Sequence, residues 1–158
     1  ATVIGTVGAA HKAETARAAG CHHVLAYAEV PARLRELTDG RGVDVVIDGV
    51  GKDSFHQSLD ALRRRGLLVS YGNASGKVGA VDFGLLAAKG SLFTTRPTLF
   101  DYYAEAADFE AGAAAVLDRI RRGVIAPMIG QTFPLADAVR CHQALEARQT
   151  VGSSLLIP

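Results

Sequence analysis

Four short segments of this sequence would let a ligand lie directly against backbone: Gly5-Thr6-Val7-Gly8, Tyr27, Gly49-Val50-Gly51 and Tyr71-Gly72-Asn73-Ala74-Ser75-Gly76. A residue without a Cβ permits close approach of a bound group, although loops recruit glycine for their own geometry as well. One such turn is accounted for by loop geometry; four on one sheet edge point to a ligand. Beside the first of them, Gly8-Ala9-Ala10-His11-Lys12 contains no acid and two groups able to carry positive charge. Lys12 is therefore a candidate for an anionic partner such as phosphate.

Other chemistries fit poorly. Gly49-Val50-Gly51-Lys52-Asp53-Ser54 lacks the third glycine of a G-x-G-x-x-G turn, and Gly72-Asn73-Ala74-Ser75-Gly76-Lys77-Val78 is one residue short of a P-loop and lacks its Ser/Thr. Asn73-Ala74-Ser75 is only formally a glycosylation sequon. Cys21-His22-His23 and Cys141-His142 have no metal-ligand spacing, and neighbours on a strand point to opposite faces. No nucleophile, base and orienting group form a recognisable set, so no catalytic residue and no metal ligand is assigned.

These residues need a scaffold, and the chain supplies enough for one. Its 158 residues carry 17 Lys+Arg against 16 Asp+Glu, a net charge of +1, with 49% hydrophobic residues. That describes one domain over residues 1–158, large enough to bury roughly 68–70% of its unfolded surface. The near-neutral balance argues against nucleic-acid and membrane-surface partners. Apolar runs such as Val43–Ile47 fall far short of the ~20 residues that span a bilayer. Two cysteines are too few for a disulfide framework, so a reduced, cytoplasmic setting is expected. Ala1-Thr2-Val3-Ile4-Gly5 has no signal-peptide pattern and reads as a strand already under way, as if cut from something longer.

Strand and helix signals alternate along the chain. Short strands are expected at 2–7, His23–Tyr27, Val43–Asp48, Gly66–Tyr71, Ser91–Thr95 and Ser153–Ile157, with an edge segment at Gln131–Pro134. Helices are expected at Lys12–Ala19, from Pro31 through Leu37, at Ser54–Leu62, Phe83–Ala88, Ala104–Arg122 and Ala136–Ala147. The unbroken Val43–Asp48 run reads as a strand buried on both faces. The alternation implies an α/β fold, a doubly wound, mostly parallel sheet with helices on both faces. In such sheets ligands bind beyond the carboxyl ends of the strands, where all four segments fall. In a dinucleotide-binding sheet, an acid at the tip meeting the adenosine ribose suits NAD, whereas a cation there suits the 2′-phosphate of NADP.

At these turns the sequence resembles the C-terminal part of zinc-independent NADPH:quinone oxidoreductases, the zeta-crystallin-like branch of the medium-chain dehydrogenase/reductase superfamily. The stretches that carry the resemblance are Gly5-Thr6-Val7-Gly8 with Lys12, Gly42–Gly51, Arg65–Gly76, Lys89–Pro97 and Gly152–Pro158. Residues 100–112 and the turn around Val30-Pro31 fit it less well. The resemblance implies a Rossmann-like sheet and NADPH as cofactor. Gly8 and Lys12 would meet the adenosine 2′-phosphate with Tyr27 alongside, and Gly49 and Val50 would border the adenine-side groove. Tyr71, Gly72, Asn73 and Ala74 would approach the nicotinamide half, and Arg148 would add a second cation for the phosphate. Position 49 is commonly Ser in the family and position 71 more usually Phe.

The resemblance also implies a central first strand and glycine-rich turn upstream of Ala1, and a catalytic domain further upstream, so that residues 1–158 are a fragment of a two-domain oxidoreductase. Its reaction would be hydride transfer from NADPH to a quinone. The alternatives are an enoyl reductase acting on an α,β-unsaturated carbonyl, or a non-catalytic NADPH-binding or scaffold module. The Ser91–Thr95 edge strand would pair across a two-fold axis in a homodimer.

Overall fold

The computed structural model describes residues 1–158 and forms two compact units, Ala1–Asp101 and Tyr102–Pro158. In the first, β1 (Ile4–Val7) leads through a 3₁₀ turn, Ala10–Lys12, into α1 (Ala13–Ala18) and back to β2 (His23–Ala26). The two strands pair in parallel, with Val7 opposite Ala26. There follow α2 (Val30–Leu37), β3 (Val43–Asp48), α3 (Phe55–Ala61), β4 (Leu62–Ser70), α4 (Phe83–Ala88), β5 (Phe93–Thr95) and the short α5 (Leu99–Tyr102). β3, β4 and β5 form a second parallel sheet in that order. The expected parallel α/β architecture is present. No helix is long and apolar enough to cross a membrane.

The sheet is interrupted. β1 pairs only with β2, and β3 only with β4, so each keeps one edge free. Packing bridges the break: Leu25 of β2, Val30 and Leu34 of α2 and Ala61 of α3 form one buried cluster, against which Ile4, Val43 and Val46 also pack. A second cluster joins Phe55 and Leu59 of α3 to Leu62 and Leu68 of β4, with Leu86 and Leu92.

Several elements differ from the expected ones. The β3 run is not buried on both faces: Val46 packs into the two clusters, while Val45 and Ile47 on the opposite side are 48% and 72% exposed. β4 begins at Leu62 instead of Gly66, because Leu62 already pairs with Val43; the register then shifts before Val45 meets Leu67. The strand expected at Ser91 begins at Phe93, since Ser91 takes a left-handed φ of 56° that leaves the strand conformation.

In the second unit the helix expected over Ala104–Arg122 starts later, as α6 (Ala106–Arg121), because Glu105 is extended. There β6 (Ile129–Pro134), α7 (Ala138–Glu146) and β7 (Ser153–Ile157) make a parallel strand–helix–strand unit, with Phe133 opposite Leu156.

Leu59 and Leu68 are the most completely enclosed large side chains, at 1% and 0% exposure. Truncating Leu68 removes transfer energy and leaves a cavity between helix and sheet. Leu68→Ala should therefore lose about 2–5 kcal/mol of stability. In urea titrations this would appear as a lower midpoint with unchanged slope.

Candidate functional site

The carboxyl end of β3 is tied to the start of α3 by one buried carboxylate. Asp48, the last residue of β3, is 6% exposed and accepts hydrogen bonds from the backbone N–H groups of Val50 (2.8 Å) and Gly51 (3.2 Å). It also accepts from the Ser54 hydroxyl (2.7 Å to Oδ2) and the Ser58 hydroxyl (2.7 Å). The loop after β3 and the start of α3 thus fold around a single charge. Burial pushes the Asp48 carboxyl up, but the bonds from Ser58, Ser54, Val50 and Gly51 together outweigh it and hold it below its ordinary value.

Ser75 fastens this loop to the one after β4. Its backbone N–H and its hydroxyl both donate to the Val50 carbonyl, at 2.8 and 2.9 Å, and its oxygen accepts from Asp53 N–H. Ala74 N–H donates to Gly49 O, and Lys52 N–H to Gly76 O. The approach is so close that a Cβ on residue 72 would lie 2.3 Å from Gly49 O, and Gly51, at φ +93°, would bring one within 2.7 Å of Gly76 O. Glycine is required at both. Tyr71 folds over Gly49: a Cβ at position 49 would meet its hydroxyl oxygen at 2.6 Å. Gly49 and Tyr71 thus form a complementary pair, the ring occupying the space a serine would need. Gly49, Val50, Tyr71, Gly72, Asn73 and Ala74 are brought together on one surface.

A second group lies at the tips of β1 and β2. A Cβ on Gly8 would be 3.5 Å from Tyr27 Cε2, so the bare glycine sits against the tyrosine ring. Lys12 ends the 3₁₀ turn and caps α1; its N–H donates to Ala9 O, and its ammonium enters no ion pair. Glu29, the nearest acid beyond Tyr27, accepts from Ala26 N–H at 2.8 Å. The two groups are tied by Gln57 of α3, whose amide donates to Tyr27 O at 2.8 Å. Arg148 belongs to the second unit, where it is exposed and follows α7 with φ +57°.

Sequence reasoning missed the groups that hold these loops. Asp48 was visible as an acid ending an apolar strand, but nothing in its spacing marks Ser54, Ser58, Ser75 or Gln57 as its collaborators. No three His, Cys, Asp or Glu side chains gather within reach of a common metal ion.

The family of zinc-binding dehydrogenases matches residues 1–111. The chain belongs to that family. It is 47% identical to quinone oxidoreductase 1 of Escherichia coli (strain K12), over 100% of this chain and 50% of that one. It is 43% identical to a 2-haloacrylate reductase of a Burkholderia species, over 100% of this chain and 48% of that protein. The structure of E. coli quinone oxidoreductase complexed with NADPH superimposes with a TM-score of 0.93 at 46% identity, covering 99% of this chain and 49% of that one. The resemblance to quinone oxidoreductases is borne out, and the chain spans about half the length of these relatives. The zinc in the family's description finds no ligand cluster among these residues.

Because the folded Asp48 carboxyl holds its proton less tightly than an unfolded one, its stabilisation is complete above the ordinary carboxylate range, about pH 4, and fades as pH falls below it. Asp48→Asn should cost about 1–3 kcal/mol at pH 7, since the amide cannot accept all the donors that surround the carboxylate. The gap between the urea midpoints of the two chains should narrow as pH falls from 5 towards 3.

Proposed function

We propose that this chain is the cofactor-binding part of an NADPH-dependent oxidoreductase that passes a hydride to a quinone. The observation that carries the reading is the Gly8 backbone against the Tyr27 ring at the tips of β1 and β2, with Lys12, four residues on from Gly8, in no ion pair. A cation that enters no ion pair suits an adenosine 2′-phosphate better than a bare 2′-hydroxyl. When bound, NADPH supplies the hydride; the protein supplies orientation and electrostatics.

In this reading Lys12 neutralises the 2′-phosphate, Gly8 leaves room for it and Tyr27 offers a flat wall. Gly49 and Val50 border the adenine-side groove, and Tyr71, Gly72, Asn73 and Ala74 form the face towards the nicotinamide half. The Asp48 and Ser75 bonds keep the two loops at fixed separation before the cofactor arrives, which lowers the ordering cost of binding. None of these residues acts as general acid or base.

The 2-haloacrylate reductase relative favours a second reading, in which the hydride acceptor is an activated alkene conjugated to a carbonyl. A module that binds NADPH without turnover is the third. The chain also has features that suit a homodimer: β5 pairs only with β4, so its outer edge is free, and Phe93 on it is 61% exposed. Two unpaired thiols, Cys21 and Cys141, accord with a reducing cytoplasm.

Titration of nucleotide fluorescence tests the proposal. NADPH should bind saturably and at least about 10-fold more tightly than NADH, and Lys12→Ala should weaken NADPH by about 10-fold or more while leaving NADH nearly unchanged, as expected for loss of one charge-assisted bond. Equal affinity for the two nucleotides, or no effect of the substitution, would overturn it.

A further inference from the structure

The amino ends of β3, β4 and β5 carry a site that the cofactor reading does not use. It lies five residues back along β3 from Gly49, at Asp44, a separation of roughly 16 Å. There an open cavity of about 830 Å³ is lined by Arg41, Asp44, Arg63, Arg64, Arg65 and Ser91, with the glycines beside them. The lining thus carries four arginines and a single acid.

That carboxylate is fully committed. Arg41 binds both oxygens of Asp44, at 3.1 Å each, and Arg63 Nε binds Oδ1 at 2.5 Å. The bond from Arg41, then that from Arg63, holds the Asp44 carboxyl down to about 2, so it stays ionised and both its partners stay satisfied. Arg63 also donates to the carbonyls of Arg64 (2.7 Å) and Arg65 (3.4 Å), pinning the bulge of β4. Arg64 and Arg65 have no acidic partner at all.

The backbone presents these two cations. Arg65 N–H donates to Gly90 O at 2.8 Å, and the Arg64 stem lies so near Gly90 that a Cβ there would meet its Cγ at 3.1 Å. Arg65 and Ser91, which both line the cavity, hold left-handed φ angles of 56°, a conformation that disfavours side chains with a Cβ. A glycine at position 65 would relieve that strain; instead the position carries a charge.

We propose that this cavity binds a small anion bearing two or more linked phosphate groups. The chemistry follows from the side chains: guanidinium forks match pairs of phosphate oxygens, two such forks are unpaired, and one carboxylate is too little to neutralise the site. The opposite end of the strands remains free for the dinucleotide.

Calorimetric titration with inorganic tripolyphosphate at low salt tests this, using the chain and its Lys12→Ala variant so that the first site does not contribute. The Lys12→Ala chain should bind one equivalent saturably. Arg64→Gln and Arg65→Gly should each weaken binding about 10-fold. Arg65→Gly is the decisive variant, because it removes the cation while relieving the left-handed backbone, so lost binding with an unchanged or raised Tm is not misfolding. Non-saturable heats, or variants that bind as the parent does, would overturn the proposal. Inorganic monophosphate binding as tightly as tripolyphosphate would overturn the requirement for linked phosphates.

Discussion

A buried carboxylate at the end of β3 organises the face of this protein where a nucleotide would lie. Asp48 is enclosed, yet it remains ionised because two backbone N–H groups and two hydroxyls surround it. Burying a charge without such partners would be prohibitive; with them, it fixes the first turn of α3 relative to the strand. The loop bearing Gly49 and Val50 then has one conformation, to which Ser75 fastens the loop from β4. A rigid pair of glycine turns is what close approach of a ligand to backbone requires, because a floppy pair would have to be ordered on binding.

The same unit shows how packing compensates for an incomplete sheet. Hydrogen bonding stops between the β1–β2 pair and the β3–β4–β5 sheet. Continuity is restored by side chains: Leu34 and Val30 of α2 lie in one cluster with Leu25 on one sheet and pack against Val43 and Val46 on the other. Gln57 adds a polar tie from α3 to the tip of β2. The free edges of β1 and β3, together with exposed Val45 and Ile47, are surfaces with spare pairing capacity.

The two ends of the β3–β4–β5 strands have opposite characters. At the carboxyl ends, carbonyl and amide groups are tied into loops of small residues, and the one buried charge is negative and satisfied. At the amino ends, arginines gather round a single aspartate, and the bulge of β4 holds one of them in a left-handed backbone. The shift in the β3–β4 register accompanies this, since residues 63–66 have no partner in the ladder between Leu62 and Leu67.

Much of this was legible in the residues alone. The alternation of β-branched runs with helix-forming stretches determines a parallel α/β fold, because each strand must return through a crossover to the same sheet edge. Glycine turns after strands are likewise visible from local spacing, and the fold sets two of those glycines against aromatic rings, Gly8 by Tyr27 and Gly49 by Tyr71. What depended on distance in space was not legible. The apolar Val43–Asp48 run does not tell which of its faces is covered, since that is decided by where α3 packs. Nor does the sequence disclose that Tyr71 fills the space above Gly49, that Ser75 bonds to Val50, or that Arg64 and Arg65 are the arginines left unpaired. Those pairings join residues far apart in the chain, and only the folded backbone sets the distances on which a hydrogen bond or an ion pair depends.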